Sequence, residues 1–356
     1  MPDRLYLDHA AATPMRPEAM AAVAEGMARW ANPSSPHAEG RAARRALEDA
    51  RARIARALDW DGEVILTSGA SEALAIALRG VEPDAVLATT VEHDAVFRAV
   101  AGDRRLPVGA DGLVDTGDGS PLRAALDPNG PVSRLAIQSA NSETGVVQPI
   151  NRIALQRPEA RVGRPIALVA DCSQSAGKLP LPSADLIVVS AHKLGGPPGI
   201  GALLVRDFGL LTATGGQEQG YRGGTENLPG ALGFAAALEA PRDWLDGAVT
   251  LRTELDAAIR AGGGEVIADA SPRIPTIAAY RMPGRSAAAQ LMRFDSMGFA
   301  VSAGSACSSG TLRTSHVLAA MGMDAKAVSE VIRVSFGWTT TAADVERFAG
   351  AWTAMA

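Results

Sequence analysis

The sequence predicts an α/β fold with a mostly parallel sheet between helices, followed by a smaller α+β domain. Three observations carry this prediction. From about residue 17 to residue 240, helical stretches alternate with short runs rich in β-branched residues. Those runs are almost continuously apolar, as expected of strands that are buried on both faces of a parallel sheet. After about residue 240 the pattern changes to a long helix, shorter strand signals and a loop of small residues.

The helices and strands of the first part follow from hydrophobic spacing. Residues 17–30 and 40–59 are predicted to be helical, the second because Leu47, Ile54 and Leu58 lie on one helical face. The apolar runs predicted to be strands are at 63–69, 84–90, 134–141, 166–174 and 185–193. Each run ends in small polar residues. Because ligands bind at the carboxyl ends of strands in such sheets, functional residues are expected there.

The length favours two domains, since 356 residues exceed what one hydrophobic core usually organises. The second part begins with a predicted helix over 243–263. We therefore predict a large domain over 15–242 and a small domain formed by 1–14 and 243–356. The small domain carries a loop at 302–316, which consists almost entirely of Gly, Ser, Ala and Cys up to about residue 311.

The charge argues against nucleic acid as a partner. The 34 basic and 39 acidic side chains give a net charge of −5, whereas binding to phosphate backbones needs a basic surface. The N-terminus lacks the apolar core of a signal peptide, and no apolar stretch is long enough to span a membrane. Two cysteines, Cys172 and Cys307, suffice for neither a disulfide framework nor a metal cluster, and no metal site is predicted. We expect a cytoplasmic protein.

The stretch TSGASE, residues 67–72, places a glycine turn between a strand and a helix that starts near Ser71. Backbone N–H groups at the start of a helix can hold a phosphate, and the helix dipole favours its charge. An ordinary strand-to-helix turn with a serine cap explains the same residues. By itself this motif leaves both interpretations open.

Two further strand ends carry ionisable side chains. Asp171 follows an apolar strand, where it either caps a turn or faces a cationic ring nitrogen of a ligand. Lys193 follows the next strand. Burial would lower the pKa of its amine and make it a nucleophile towards a carbonyl. A lysine on the surface fits the local sequence equally. Taken together, a phosphate cradle, an acid for a pyridine nitrogen and a reactive lysine are what pyridoxal phosphate (PLP) needs from its protein.

Motifs for other cofactors are missing from the sequence. No G-x-G-x-x-G follows a predicted strand at the start of a helix, and the pair Gly177-Lys178 lacks the preceding glycine of a P-loop. There is no H-E-x-x-H and no cysteine pair for zinc. A nicotinamide-dependent enzyme or an NTPase is therefore not predicted.

Ten stretches that run in order along nearly the whole chain resemble one known family. They are YLDHAAATP (6–14), NPSSPH (32–37), TSGASE (67–72), VEHDAV (91–96), NSETGVVQPI (141–150), DCSQSAGKLP (171–180), SAHKLGGPPGIGAL (190–203), YRGGTEN (221–227), SAGSACSSG (302–310) and IRVSFGWTT (332–340). The chain resembles the fold-type I, class V PLP enzymes, and specifically the group I cysteine desulfurases of the iron-sulfur-cluster and nitrogen-fixation type. This resemblance implies a seven-stranded, mostly parallel sheet, PLP as cofactor and a homodimer.

Matching positions imply how PLP is held. Lys193 would bond covalently to it, Asp171 would pair with its ring nitrogen, and His93 would stack on its ring. The remaining implied contacts are Gln174 and Asn141 near the ring hydroxyl, Ala70, Ser71, Ser190 and His192 at the phosphate, and Thr225, which would reach the phosphate bound to the other subunit of the homodimer.

The resemblance also implies the reaction. Arg333, helped by Asn32, would bind the carboxylate of L-cysteine, since a guanidinium can grip a carboxylate through two hydrogen bonds. The thiolate of Cys307 would attack the sulfur of the substrate, leaving alanine and a persulfide on Cys307. His93 would exchange protons with substrate or product. An acceptor protein would then take the sulfur for iron-sulfur clusters or other sulfur compounds, while Cys172 is predicted to serve packing.

Two kinds of alternative remain open at this point. Within the same cofactor class, the chain could be a selenocysteine lyase or another class V lyase or aminotransferase. A transaminase needs no nucleophilic thiol, so Cys307 argues against that assignment. The chain could also be a sulfur-carrier or assembly subunit that binds partners. That alternative is disfavoured by an intact set of reactive residues, namely Lys193, Asp171, His93, Cys307 and Arg333.

Overall fold

The computed structural model describes residues 4–100, 102, 104–127, 130–158, 166–304 and 314–355. Its strands are β1 (Leu5–Tyr6), β2 (Glu63–Thr67), β3 (Val86–Thr89), β4 (Arg105–Leu106), β5 (Arg134–Gln138), β6 (Ala167–Asp171), β7 (Leu186–Ser190), β8 (Gly201–Val205), β9 (Glu265–Val266), β10 (Ile277–Arg281), β11 (Phe299–Ala300) and β12 (Val331–Ser335). Its helices are α1 (Pro17–Ala28), α2 (Ala38–Ala57), α3 (Ala70–Leu78), α4 (Asp94–Ala99), α5 (Pro121–Ala125), α6 (Ile150–Gln156), α7 (Leu228–Glu239), α8 (Trp244–Ala261), α9 (Ala287–Ser296), α10 (His316–Ala320), α11 (Ala325–Val328) and α12 (Ala342–Thr353).

The main sheet has seven strands in the order β2-β8-β7-β6-β5-β3-β4. Neighbours from β7 to β4 run parallel, and β8 alone is antiparallel to both of its neighbours, β2 and β7. The mostly parallel sheet predicted from the sequence is confirmed, although β8 is not among the predicted strands. Because β3, β5, β6 and β7 are parallel, their carboxyl ends lie at one edge of the sheet.

Both faces of this sheet are covered, which explains why its strands are continuously apolar. Along β6, Leu168 and Ala170 belong to the core that contains α2 and α7, while Val169 belongs to the opposite core, which contains α3 and α4. On the first face, α1 and α2 pack against α7. A strand that is buried on both faces has no exposed face for polar side chains. It therefore lacks the alternation of apolar and polar residues that is typical of a strand with one exposed face.

A second sheet and core are formed mainly by the C-terminal part of the chain. Strands β12, β10 and β9 form an antiparallel sheet, and its core contains Tyr280, Phe294 and Trp352. The N-terminal strand β1 pairs in parallel with β11, and Leu7 lies in the same core. The N-terminal segment thus packs with residues from far along the chain, while the predicted domain boundaries stay a prediction. No helix in the described ranges is both long and apolar enough to cross a membrane.

Candidate active site

A cavity of about 410 Å³ lies at the carboxyl ends of the parallel strands, between the main sheet and β12. Many of the residues predicted from the sequence line it together. These are Ala70, Ser71, His93, Asp171, Gln174, Ser190, His192, Lys193 and Arg333. The topology explains why these residues lie close together. Strands β3, β6 and β7 end at the same edge of the sheet, so the residues that follow each strand lie at that edge.

One end of the cavity is built around the start of α3. Gly69, the residue before this helix, has φ +148°, a conformation that side chains rarely adopt, and a Cβ added there would meet no described atom within 4 Å. Gly201 packs directly behind it, because a Cβ on Gly201 would come within 2.8 Å of the Cα of Gly69. The N-terminal turn of α3, which includes Ser71, is therefore open towards the cavity. Such a turn attracts an anion.

His192 and Ser190 complete this end of the cavity. The Nδ1 atom of His192 lies 2.9 Å from Oγ of Ser190. Burial, with the nearby charge of Lys193 as a second cause, lowers the pKa of His192 to about 4. The His192 ring is therefore neutral at physiological pH and acts here through hydrogen bonds rather than through charge.

Asp171 and Gln174 lie at the end of β6 and face the middle of the cavity. Oδ1 of Asp171 accepts hydrogen bonds from the backbone N–H of Ser173 at 2.9 Å and from its hydroxyl at 2.5 Å, which fixes the carboxylate in place. The side-chain amide of Gln174 donates to the carbonyl of Ala10 at 2.9 Å, and its Oε1 is buried without a donor among the described residues. This unfilled acceptor suits a ligand that brings a hydroxyl group.

Lys193 lies in a short 3₁₀ turn, Ala191–Lys193, directly after β7. Its Nζ donates to the carbonyl of Ala10 at 2.6 Å and to that of Ala11 at 2.9 Å. The N-terminal segment therefore forms one wall of the cavity. Sequence reasoning missed this role of Ala10 and Ala11, because main-chain carbonyls of small residues give no local signal of such a contact.

His93 is the residue before α4, and it lines the cavity opposite the N-terminal segment. Its Nδ1 accepts a hydrogen bond from the backbone N–H of Ala95 at 3.1 Å, so a proton on the neutral ring belongs on Nε2. The preceding residue, the buried Glu92, accepts hydrogen bonds from the hydroxyl of Thr89 and from the backbone N–H of Gln138. Burial raises the pKa of Glu92 to about 8, and the sequence analysis did not identify this carboxyl group.

Arg333 reaches the cavity from β12 in the second sheet. Its Nη1 donates to the carbonyl of Ser142 at 3.0 Å, and its Nη2 forms an ion pair with Asp8. Nε of Arg333 is buried and has no acceptor among the described residues. Two of its five N–H groups thus hold the guanidinium in place, and Nε has no acceptor within the described ranges, which suits recognition of a carboxylate.

Three predicted site residues of the described ranges do not line this cavity. Asn141 is buried next to it, but its Oδ1 accepts from the backbone of Glu143 and Thr144 and its Nδ2 donates to Val91. Thr225 is exposed outside the cavity. Asn32 is exposed too, and its side chain accepts from the backbone N–H of Ser34. Their predicted roles stay predictions.

Both ends of the predicted loop 302–316 are attached next to the cavity. At the start, Ser302 exchanges two backbone hydrogen bonds with Arg333. At the end, the hydroxyl of Ser315 donates to the buried Glu143, and the ring of His316 bonds to the carbonyl of Glu92. Cys307 itself lies outside the described residues.

Comparison with known proteins identifies the family of the chain. The family model described as aminotransferase class V matches residues 5–348. The chain belongs to this family. Members of the class V aminotransferase family depend on PLP, so the predicted cofactor is confirmed.

Curated relatives and solved structures place the chain more closely within the class V family. It is 36% identical to an IscS-like cysteine desulfurase of Mycobacterium tuberculosis, covering 96% of this chain and 93% of that one. A cysteine desulfurase of Cereibacter sphaeroides is 34% identical over 97% and 94% of the two chains. The structure of a NifS-like protein from Rickettsia africae superposes with a TM-score of 0.88 at 26% identity, over 99% of each chain. The resemblance to group I cysteine desulfurases is confirmed.

The residues present in this class V enzyme fit PLP. Gly69 leaves the start of α3 open where a phosphate would lie, and Asp171 offers a fixed carboxylate for the ring nitrogen. The unfilled Oε1 of Gln174 offers an acceptor for the ring hydroxyl. Lys193 lies in the same cavity with its amine directed to the N-terminal wall.

Proposed function

We propose that this cysteine desulfurase takes sulfur from L-cysteine through Cys307 and passes it to an acceptor protein. The observation that carries the proposal is the arrangement around one cavity of Lys193, Asp171 and Arg333, with the ends of the Cys307 loop attached beside it. An amine, a fixed carboxylate and a guanidinium suit an amino acid bound to PLP. The thiol is the additional group that sulfur transfer requires.

Each side chain has a task that follows from its position. When bound, PLP supplies an electron sink for the bonds at Cα of the substrate. Asp171 keeps the ring nitrogen protonated, and Lys193 holds the cofactor and moves the proton at Cα. Arg333 binds the substrate carboxylate through guanidinium N–H groups that Asp8 and Ser142 do not use. His93 donates or accepts a proton through Nε2, since its Nδ1 is engaged by the backbone.

The sulfur transfer balances without an external oxidant. The thiolate of Cys307 attacks the sulfur of L-cysteine, a sulfur–sulfur bond forms, and the bond between sulfur and Cβ breaks. The electron pair of that bond stays with the carbon skeleton, which takes up protons and leaves as alanine. The sulfur remains on Cys307 as a persulfide and moves to a thiol of the acceptor.

Chain geometry supports Cys307 in this task. Three peptide units separate it from Gly304, which limits the distance between their Cα atoms to about 11 Å. Ser302, two residues before Gly304, pairs with the backbone of Arg333 at the cavity. Cys172 is a poor alternative, because it is fully buried and burial raises the pKa of its thiol to about 12.

We test this function with a pair of cysteine variants. Cys307→Ala is expected to bind PLP normally, but its formation of alanine and sulfide from L-cysteine should fall to background. Cys172→Ala is the matched control and should keep its activity within about twofold, since it removes a thiol that packs but does not react. Mass spectrometry should find an added sulfur atom on the Cys307 peptide of the wild type. Normal turnover by Cys307→Ala would falsify the assignment.

A homodimer and a cytoplasmic location belong to the same proposal. Thr225 is exposed and does not line the cavity of its own chain, which suits a contact with the phosphate bound to another subunit. Thr225→Ala should therefore weaken PLP binding without dissociating the dimer, as judged by light scattering during size-exclusion chromatography.

A reducing compartment suits the reaction, because the thiol of Cys307 must stay reduced. A trap for the Cys307 persulfide, followed by identification of the bound protein, would name the acceptor.

A further inference from the structure

Lysine is rare in this protein. Of its 34 basic side chains only three are lysines, namely Lys178, Lys193 and Lys326. Lys193 belongs to the active site, and Lys326 is exposed on α11. Lys178 forms no hydrogen bond or ion pair through its side chain with any residue of the described ranges. Its side chain is only partly exposed, so a cation with no acidic partner in the described part of the chain calls for an explanation.

A small cavity of about 20 Å³ is lined by both Lys193 and Lys178. Other side chains in its lining are Thr13, Arg16, Arg242, Trp244 and Trp338. No carboxylate is among the described residues that line it. Four cationic side chains therefore surround a space large enough for one water-sized or halide-sized atom.

The two arginines of this cavity are bound to main-chain oxygens rather than to acids. Arg16 donates from Nη2 to the carbonyl of Pro241 at 2.8 Å, and Arg242 donates to the carbonyls of Leu238 and Ala57. Glu18 acts electrostatically on Arg16 but does not line the cavity. Carbonyl oxygens satisfy donors without cancelling charge, so the positive charge of the cavity is retained.

Trp244 adds a second, independent sign of a missing acceptor. Its indole N–H is buried and has no hydrogen-bond partner among the described residues. Trp338, which lines the same cavity, donates its own indole N–H to the carbonyl of Pro14 at 2.8 Å. Buried donors are nearly always paired, so the unpaired indole N–H, at a cavity that Lys178 also lines, indicates a ligand that accepts a hydrogen bond there.

A larger groove adjoins the small cavity. A neighbouring groove of about 380 Å³ shares Gly177, Lys178 and Arg242 with it. Asp59 is the acidic residue in the lining of that groove, and it does not line the inner cavity. Lys178 and Arg242 are therefore cationic side chains that line both spaces.

We propose that the inner cavity is a binding site for a small inorganic anion of halide size, held by Lys178 and Trp244 next to the cofactor lysine. The electrostatics agree with this assignment. Burial, followed by repulsion from Lys193, lowers the pKa of Lys178 to about 8, and a bound anion would oppose both effects. Because Lys193 lines both cavities, the charge of the anion acts on the active-site amine as well. The site does not depend on which reaction the enzyme catalyses.

Bromide in crystals of the PLP-loaded enzyme gives the direct test. An anomalous difference peak is expected inside the cavity, in contact with Nζ of Lys178 and Nε1 of Trp244. A cavity without such a peak, in crystals that show bromide elsewhere on the protein, would overturn the proposal. A peak that persists unchanged in crystals of Lys178→Met would identify an adventitious ion only, and would overturn it equally.

Thermal unfolding of the PLP-loaded enzyme tests the site in solution. Chloride is compared with gluconate, which is too large for the cavity, at the same ionic strength. Above the dissociation constant, each tenfold rise in chloride should raise the melting temperature by roughly 2 °C relative to gluconate. Lys178→Met should lose this difference and Trp244→Phe should reduce it, whereas the control Lys326→Met should keep it. A wild type that does not distinguish the two anions, or a Lys178→Met variant that still does, contradicts the proposal.

Discussion

Nη2 of Arg333 lies 2.7 Å from Oδ1 of Asp8, a residue 325 positions earlier in the chain. Asp8 belongs to the N-terminal segment, whereas Arg333 lies on β12. The ion pair therefore joins the two ends of the chain at the rim of the active-site cavity. Together with the hydrogen bond from Nη1 to the carbonyl of Ser142, this ion pair fixes the plane of the guanidinium before any substrate binds.

This geometry predicts that Arg333→Lys raises KM for L-cysteine by about tenfold or more, while PLP binding is retained. The planar guanidinium of an arginine can bind Asp8, Ser142 and a substrate carboxylate at the same time. The ammonium group of a lysine is a single point charge and cannot do so. Steady-state kinetics of alanine formation provides the measurement. Arg45→Lys, on the exposed face of α2, is the matched control and should leave KM unchanged. An unchanged KM in Arg333→Lys would show that the carboxylate binds elsewhere.

Asp8→Asn tests the positioning of Arg333 separately. The asparagine keeps the shape but loses the charge-assisted hydrogen bond, so KM should rise by roughly threefold to tenfold with little change in kcat. The Arg333→Lys, Asp8→Asn double variant should be less impaired than the two single effects multiplied together, because Asp8 acts through Arg333. Fully multiplicative effects would mean that Asp8 has an independent role.

Gln174→Leu should weaken PLP binding by about fivefold. The substitution removes the buried Oε1 acceptor, and a neutral hydrogen bond contributes about 1 kcal/mol. Titration of the apoenzyme with PLP, followed by absorbance, gives the dissociation constant. Gln174→Glu keeps an acceptor oxygen at this position, so its loss of affinity should be smaller than that of Gln174→Leu if the acceptor is what matters. Equal PLP affinity in wild type and Gln174→Leu would rule out the contact with the ring hydroxyl.

Glu92→Gln should make the protein less sensitive to alkaline pH. Burial raises the pKa of Glu92 to about 8, so between pH 4.5 and 8 the folded state holds a proton that the unfolded state releases. Stability is therefore lost as pH rises through this window, by on the order of 5 kcal/mol in total. Relative to wild type, Glu92→Gln should gain stability in urea unfolding between pH 5 and pH 8.5. The exposed Glu82→Gln should show no such gain.

His9→Gln should make the protein less sensitive to acid. Burial, and secondarily the charge of Lys178, lowers the pKa of His9 to about 4. From pH 6.5 down to about 4 the unfolded state takes up a proton that the folded state refuses, so folding is destabilised by up to about 3 kcal/mol. The difference in unfolding free energy between pH 7 and pH 4.5 should be smaller in His9→Gln than in wild type. If the two differences are equal, His9 is protonated in the folded state.

The parts of the site that the sequence predicted are those with a local signal. Asp171 and Lys193 each follow a short apolar strand, and Ser71 follows a glycine turn, so parallel topology was enough to bring them together. The antiparallel direction of β8 had no such signal, because a buried strand has the same apolar composition in either direction. The direction of β8 is decided by how it pairs with β2 and β7, rather than by its composition.

Contacts over long sequence separations account for what could not be predicted. The ion pair of Asp8 with Arg333 and the carbonyl contacts of Ala10 with Lys193 depend on how the N-terminal segment packs with the second core.

Asn141 shows the opposite case, a local contact that could have been predicted. Its side chain accepts from the backbone of Glu143 and Thr144, a local turn that the sequence Asn-Ser-Glu-Thr-Gly could have indicated before a ligand contact was considered.

The carbonyl of Ala10 accepts hydrogen bonds from both Lys193 and Gln174, and that of Ala11 accepts from Lys193. These contacts make main-chain atoms from the very start of the chain neighbours of the lysine that would hold the cofactor. A change of backbone conformation at the amino terminus would therefore alter the cofactor site directly, although this segment is remote in sequence from most of the residues that line it.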